Sequence, residues 1–153
     1  MSKKGFTLIE VLIVIGVIAI LAAIVIIAIN PARQFAQARN TQRRSDVLAI
    51  LNSVHQRMTD NRGNFAEGTT CDALPATASI ITSTVAAGNV DLCGCLVSDY
   101  LAEMPFDPTD TLANYTDCAD YHTGYTIIQD ATTGRITVTA TSAELSETIS
   151  VTR

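Results

Sequence analysis

Three groups of residues could do chemistry. Glu10 is the only acid before Asp46, and it stands at the lip of an uninterrupted apolar run from Val11 to Ile29. A carboxylate beside hydrocarbon costs on the order of 2.5–3.5 kcal/mol at a helix centre and less at its edge, so such an acid tends to be paired or functional. Four cysteines, Cys71, Cys93, Cys95 and Cys118, lie beyond that run. They allow three pairings, and Cys93 and Cys95, separated by Gly94 alone, would bridge each other only with strain, so each is expected to reach Cys71 or Cys118. A four-thiolate zinc site is the rival, disfavoured because structural zinc sites space their thiolates by about two to four residues. Asp107, Asp110, Asp117 and Asp120 form the third group. Oxygen-rich loops can hold calcium, while the plainer reading is a solvated acidic loop. His55 and His122 are isolated, with no neighbouring nucleophile, and make no catalytic set, so an enzyme is not expected.

These groups depend on a few elements for their placement. Val11 to Ile29 is nineteen residues of Val, Leu, Ile, Ala and one Gly without a charge, about 28 Å as a helix against roughly 30 Å of hydrocarbon. That length and composition predict a membrane span. Asn30 suits a helix N-cap and Pro31 the first helical position, but Pro31 cannot donate to the Ile27 carbonyl and pushes Asn30 away from helical dihedrals. A hinge is therefore expected at Asn30 and Pro31, where the chain leaves the membrane. Val47, Ile50, Leu51, Val54 and Met58 then recur at three- and four-residue steps, which predicts an amphipathic stem helix running to about Asp60 and stopping near Gly63. From Phe6 to Asp60 a continuous helix would measure roughly 80 Å.

The remainder, residues 63–153, reads as a small head. Leu96 to Met104 suggests a short helix ended by Pro105, and residues 106–124 a long acidic loop. Residues 124–141 read as a hairpin, because Ile136, Val138 and Ala140 alternate with Arg135, Thr137, Thr139 and Thr141 after an Ala-Thr-Thr-Gly turn. Residues 147–151 could add a third strand. The stripe on the 47–58 helix is the one amphipathic partner available to cover such a sheet. The expected class is α+β, with a long N-terminal helix packed against a small antiparallel sheet.

The chain has 153 residues and a net charge of −5, but the charge is divided. Residues 1–62 hold eight Lys/Arg against three acids, and residues 63–153 hold two against twelve. Arg39, Arg43 and Arg44 form a basic patch on the stem. Without interleaved aromatics, and with an acidic head, nucleic acid is not expected as a primary partner; snorkelling at the interface or pairing with acids of neighbouring subunits fits better. Positive charge flanks the span on both sides, so the cysteines orient the chain: disulfides belong to an oxidising compartment, which places the N-terminus in the cytoplasm and the head outside. Asn114-Tyr115-Thr116 is a glycosylation sequon by letter only.

Four explanations compete for Glu10. Thr7-Leu8-Ile9-Glu10 matches a capping box. A conventional secretory signal fails, because its apolar core is only about 7–15 residues and ends in a small-residue cleavage site. A plain single-pass anchor leaves the glycine before Phe6 unexplained. The fourth is a partner from another chain: if the chain is cut after Gly5, the new amine of Phe6 can meet the carboxylate of an axially offset neighbour, and Glu10 becomes a register pin.

Lys3 to Ile24, a short basic leader ending in Gly followed by Phe-Thr-Leu-Ile-Glu and an apolar helix, resembles the class III leader and N-terminal helix of type IV pilins and the related pseudopilins of type II secretion. The resemblance implies a pilin-like ladle divided into a leader at 1–5, a transmembrane and filament-core helix at 6–29, a stem helix at 30–62 and a disulfide-bearing head at 63–153. It implies cleavage between Gly5 and Phe6 by a prepilin peptidase, N-methylation of Phe6 and neutralisation by Glu10 between subunits. The implied partners are further copies in a helical homopolymer, the peptidase/methyltransferase, the inner-membrane assembly machinery and, before assembly, the membrane itself. Implied too are a single-pass precursor in the inner or cytoplasmic membrane and a cell-surface filament after assembly. Major pseudopilins as a group carry calcium in the head, which bears on the aspartate group; no other cofactor is implied. The pattern departs from the family at one place: a proline common nearer the middle of the apolar helix stands later here, at Pro31, so unwinding is expected closer to the membrane exit. A pilus subunit is favoured over a pseudopilin by the four cysteines of the head, and a single-pass membrane-anchored binding protein is the alternative from another class.

Overall fold

The computed structural model describes residues 5–67, 71–84 and 86–153, which divide into two compact units between Ala36 and Gln37. Lys3, Lys4 and the rest of the basic leader before Gly5 lie outside the described residues.

In the first unit, α1 (Leu8–Ile29) is a 22-residue helix in which no residue is buried. It is long and apolar enough to cross a membrane. Because its side chains are apolar on every side, no face selects a partner within the chain; such a helix needs apolar surroundings all round. Its C-cap, Asn30, takes the left-handed conformation (φ 47°, ψ 79°), and α2 (Pro31–Asp60) begins at the next residue. Asn30 tolerates that conformation because its short polar side chain bonds locally, its Oδ1 accepting the Arg33 N–H at 3.3 Å. The helical ladder is thus interrupted at Asn30, after the apolar run and not within it.

From Gln37 onward α2 belongs to the second unit. Val47, Ile50, Leu51 and Val54 are fully buried in one core with the sheet. The sheet has the order β2-β1-β4-β5-β6, with β3 also paired to β4. Its strands are β1 (Ser79–Thr82), β2 (Asn89–Val90), β3 (Asn114–Asp117), β4 (Asp120–Gln129), β5 (Ile136–Ala140) and β6 (Ile149–Thr152). All pairings are antiparallel except β1 with β2. On β5, Ile136, Val138 and Ala140 are buried while Thr137 and Thr139 are half-buried, the period of two that a half-covered sheet imposes. The class is α+β, a long N-terminal apolar helix followed by an antiparallel-rich sheet.

The head differs from its sequence-based reading in three places. The short helix is α3 (Cys93–Leu96), not residues 96–104: the Asp91 carboxylate accepts the Cys93 N–H at 3.0 Å, and Ser98, at φ 74°, ends the turn. Met104 is instead a fully buried core residue. The long acidic loop contains β3 and the start of β4. Tyr121 and Thr123 turn inward there, and the Asp117 carboxylate closes the turn by accepting the N–H groups of Ala119 and Asp120 at 2.8 and 3.1 Å. Strands β1 and β2 have no counterpart in the sequence-based reading, although Ser-Ile-Ile-Thr is a β-branched run.

Candidate functional site

The first site lies at the start of α1. Thr7 is its N-cap in extended conformation, and both halves of the capping box are closed: the Glu10 N–H donates to Thr7 Oγ1 at 3.3 Å and the Thr7 N–H to Glu10 Oε2 at 2.9 Å. Thr7 Oγ1 also donates to Oε2 at 2.9 Å, while no described residue bonds to Oε1. Phe6, just before the cap, is 88% exposed and packs on nothing that would cover its ring. Gly5 is exposed as well, its φ is outside the left-handed region, and an added Cβ would meet nothing within 4 Å. Neither backbone strain nor crowding within the chain requires glycine at that position.

Residues 1–29 match the family model described as the prokaryotic N-terminal methylation motif. The chain bears the type IV pilin/pseudopilin signature. Comparison with curated proteins and with solved structures yields no match. Gly5, Phe6 and Glu10 all lie within the matched residues.

Beyond the signature, the head is organised around two sets of bonds. Cys71 is bonded to Cys95 and Cys93 to Cys118, and no free cysteine remains. Both bridges converge on α3, whose Cys93 and Cys95 are buried, tying it to the 71–78 segment and to the β3–β4 turn. Arg57 adds a third tie from α2: it donates to the carbonyls of Phe65, Cys95 and Glu67 at 2.9, 3.2 and 2.9 Å and lies 5.5 Å from the Phe65 ring centre.

The second set is built on Arg43. Its Nε and Nη2 donate to the two carboxylate oxygens of Asp107 at 2.7 and 2.9 Å, with both side chains fully buried. Nη1 donates to Asn40 Oδ1 at 2.9 Å and to Glu144 Oε2 at 3.0 Å, and Nη2 also reaches Thr109 Oγ1. Glu144 is held by Arg39 as well, through bonds of 2.6 Å to each oxygen, and Arg44 pairs with Glu147. Asn40 closes the set, its side-chain amide donating to the Glu144 carbonyl and accepting the Glu144 N–H. The stem arginines are therefore paired inside their own chain, which corrects the expectation that they snorkel or wait for acids of neighbouring subunits. A signal was present in the sequence: Arg43 lies four residues before Val47 and Asn40 three before Arg43, so both continue the buried stripe.

The same contacts set the titration of the acids. Arg39, and then Arg43, bring the Glu144 carboxyl down to about 2. Burial pushes Asp107 up, but the Arg43 guanidinium and the N–H groups of Thr109 and Asp110 outweigh it, and its pKa is lowered. Asp46 is raised by burial, partly offset by the Tyr125 hydroxyl, which donates to it at 2.8 Å. Tyr125 in turn is raised, by burial and by that carboxylate.

The structure places the four aspartates in different jobs. Asp107 faces Arg43, Asp110 accepts the Leu112 N–H at 2.9 Å, Asp117 closes its turn and Asp120 accepts from the Asn114 amide at 3.3 Å. Among the described residues no group of three or more His, Cys, Asp or Glu is placed to share a metal ion. Gly124 sits against this loop at φ +73°, where a Cβ would come within 2.9 Å of Asp110 Oδ2 and 3.0 Å of Asp107 Cβ. His55 bonds to the Leu51 carbonyl at 2.9 Å, and His122 lies on β4.

Proposed function

We propose that the chain is a structural subunit of a type IV pilus-like filament, made as a membrane-anchored precursor and assembled through α1 after cleavage between Gly5 and Phe6 and N-methylation of Phe6. The observation that carries this reading is the bare helix. A 22-residue apolar rod with none of its surface covered by its own chain must be surrounded by something apolar, lipid before assembly and other copies of α1 afterwards. Glu10 is then the register pin. In the single chain the capping box engages Oε2 alone, which leaves Oε1 for the amine of a neighbour. Opposite charges that must leave water together are favourable only in the stagger that joins them, so the pair selects one axial offset among many that apolar contact alone would allow. The work on this reading is mechanical.

A filament on the cell surface is favoured over a short periplasmic pseudopilus by the head's two disulfides, which reinforce a small core that faces the medium. Glu10→Val tests the reading. The expected product is processed, N-methylated at Phe6 by mass spectrometry of its N-terminal peptide, and absent from sheared filaments. A variant that polymerises like the parent would remove the pairing, and a mature chain that still begins at Met1 or Ser2 would remove the pilin reading altogether.

A further inference from the structure

Of the arginines between the apolar run and Asp60, Arg39, Arg43, Arg44 and Arg57 are engaged inside the head. Arg33 is the exception: its backbone N–H bonds to Asn30, but its guanidinium has no partner among the described residues, and its side chain is exposed. Two residues on, Phe35 is 65% exposed. No acid occurs between Val11 and Ser45, so no neighbour in sequence competes for that cation.

Position supplies the partner. α1 at 22 residues is about 33 Å long and covers a hydrocarbon layer of about 30 Å, beyond which a headgroup zone of some 5–7 Å follows on each side. Arg33 is four residues past the end of α1, roughly 6 Å at helical rise, which falls in that zone. Guanidinium matches phosphate oxygens in a fork of paired N–H donors, and aromatic rings gather at headgroup level where one side is apolar and the other wet. The left-handed Asn30 ends the apolar helix three residues before Arg33, and α2 begins with no acid in its first turn, so no like charge opposes a phosphate there.

We propose that Arg33 and Phe35 form an interfacial anchor that binds phospholipid headgroups and fixes the depth of the precursor in the outer leaflet. The inference rests on the reading of α1 as a membrane anchor. It assigns Arg33 a role the head arginines cannot fill, because their guanidinium groups are already committed.

The chain has no tryptophan, so a single introduced indole reports one site. Full-length Phe35→Trp and, separately, Ile18→Trp would be reconstituted into vesicles of phosphatidylcholine, with and without phosphatidylglycerol. The indole of Phe35→Trp should emit at intermediate wavelength and be quenched more by lipids brominated near the headgroup than by lipids brominated deep in the chains, whereas that of Ile18→Trp should show the reverse. Adding Arg33→Gln to Phe35→Trp should red-shift the emission and raise its quenching by acrylamide in both vesicle types, since both carry phosphate. An indole at position 35 fully open to acrylamide, while the one at position 18 stays buried, would overturn the anchor and leave the span standing. Both indoles open to acrylamide would overturn the span, and the anchor with it. An Arg33→Gln effect confined to the anionic vesicles would replace the phosphate contact by attraction to net surface charge and overturn it in this form.

Discussion

Asp107→Ala is the sharpest test of how the head is held together. The substitution removes both oxygens that face Arg43 and the acceptor for the N–H groups of Thr109 and Asp110, at 2.8 and 3.1 Å. Arg43 is fully buried and cannot turn to water. Breaking one member of a buried pair costs about 3–5 kcal/mol, mainly because the other charge is stranded. Glu144 stays 3.0 Å from Nη1 and still neutralises part of that charge, which puts the expected loss near the lower end, about 3 kcal/mol. For a unit of this size that corresponds to a fall in melting temperature of roughly 10 °C. The assay is the near-ultraviolet circular dichroism of the full chain in detergent, where the buried Tyr121 and Tyr125 report the head and α1 contributes no aromatic signal. Arg43→Met combined with Asp107→Leu should recover most of the loss, because a buried pair replaced by apolar side chains of similar size is often neutral. A loss below about 1 kcal/mol in Asp107→Ala, or a double variant as unstable as the sum of its singles, would refute the argument that the pair is buried and mutually dependent.

The other expectations follow from neighbouring contacts. Gly124→Ala should destabilise the head more than Gly134→Ala: both have φ above +70°, at a cost of roughly 1–2 kcal/mol for a Cβ, but only at Gly124 does the new atom also collide with Asp107 and Asp110, so thermal melts of the two should differ clearly. On acidification, the stabilisation carried by the lowered carboxyls of Glu144 and Asp107 is complete above their unfolded values of about 4 and lost as pH falls through their folded values, about 2 for Glu144. Asp46, raised by burial, contributes in the opposite sense: its share is complete at low pH and declines as pH rises through its folded value. Glu144→Gln should therefore flatten the acid limb of a melting-temperature profile between about pH 4 and 2. Reduction should release four thiols from a denatured chain that shows none before reduction, and loss of the two bridges, which close segments of 24 and 25 residues, should cost about 3 kcal/mol each.

The parts of the fold that were legible are those governed by local periodicity. The stripe from Val47 to Met58 and the alternation of Ile136, Val138 and Ala140 each follow from one element meeting one apolar face. The start of α1 was legible too, since Thr7 and Glu10 carry their capping geometry in their spacing. What escaped was set by contacts between distant segments. Asp107 read as a metal-loop candidate because its partner, Arg43, is 64 residues away, and an aspartate in an acidic stretch gives no local sign of burial. The β3–β4 ribbon was hidden by the same acids: Asp117 and Asp120 raise the polarity of the stretch while shaping its turn, and Tyr121 and Thr123 are too few to show a period. β2 is only two residues long and exists because β1 supplies its ladder.

A residue whose type is explained by its own chain and one whose type is not differ in what they say about partners. Arg43, Asn40 and Gly124 belong to the first kind, since burial, hydrogen bonds or a close approach account for each. Gly5 and Gly16 belong to the second. A Cβ would fit at either, neither has a left-handed φ, and in mid-helix Gly16 costs about 1 kcal/mol relative to alanine. Glu10 is half explained, one oxygen capped and the other without a bond among the described residues. Gly5, Gly16 and Glu10 all lie in the first unit, in which every α1 side chain is exposed. Selection for stability within the chain would have replaced Gly16 by alanine. On the proposed reading, the contacts that select Gly5, Gly16 and Glu10 lie outside the single chain, on a processing enzyme for Gly5 and on adjoining helices for Gly16 and Glu10.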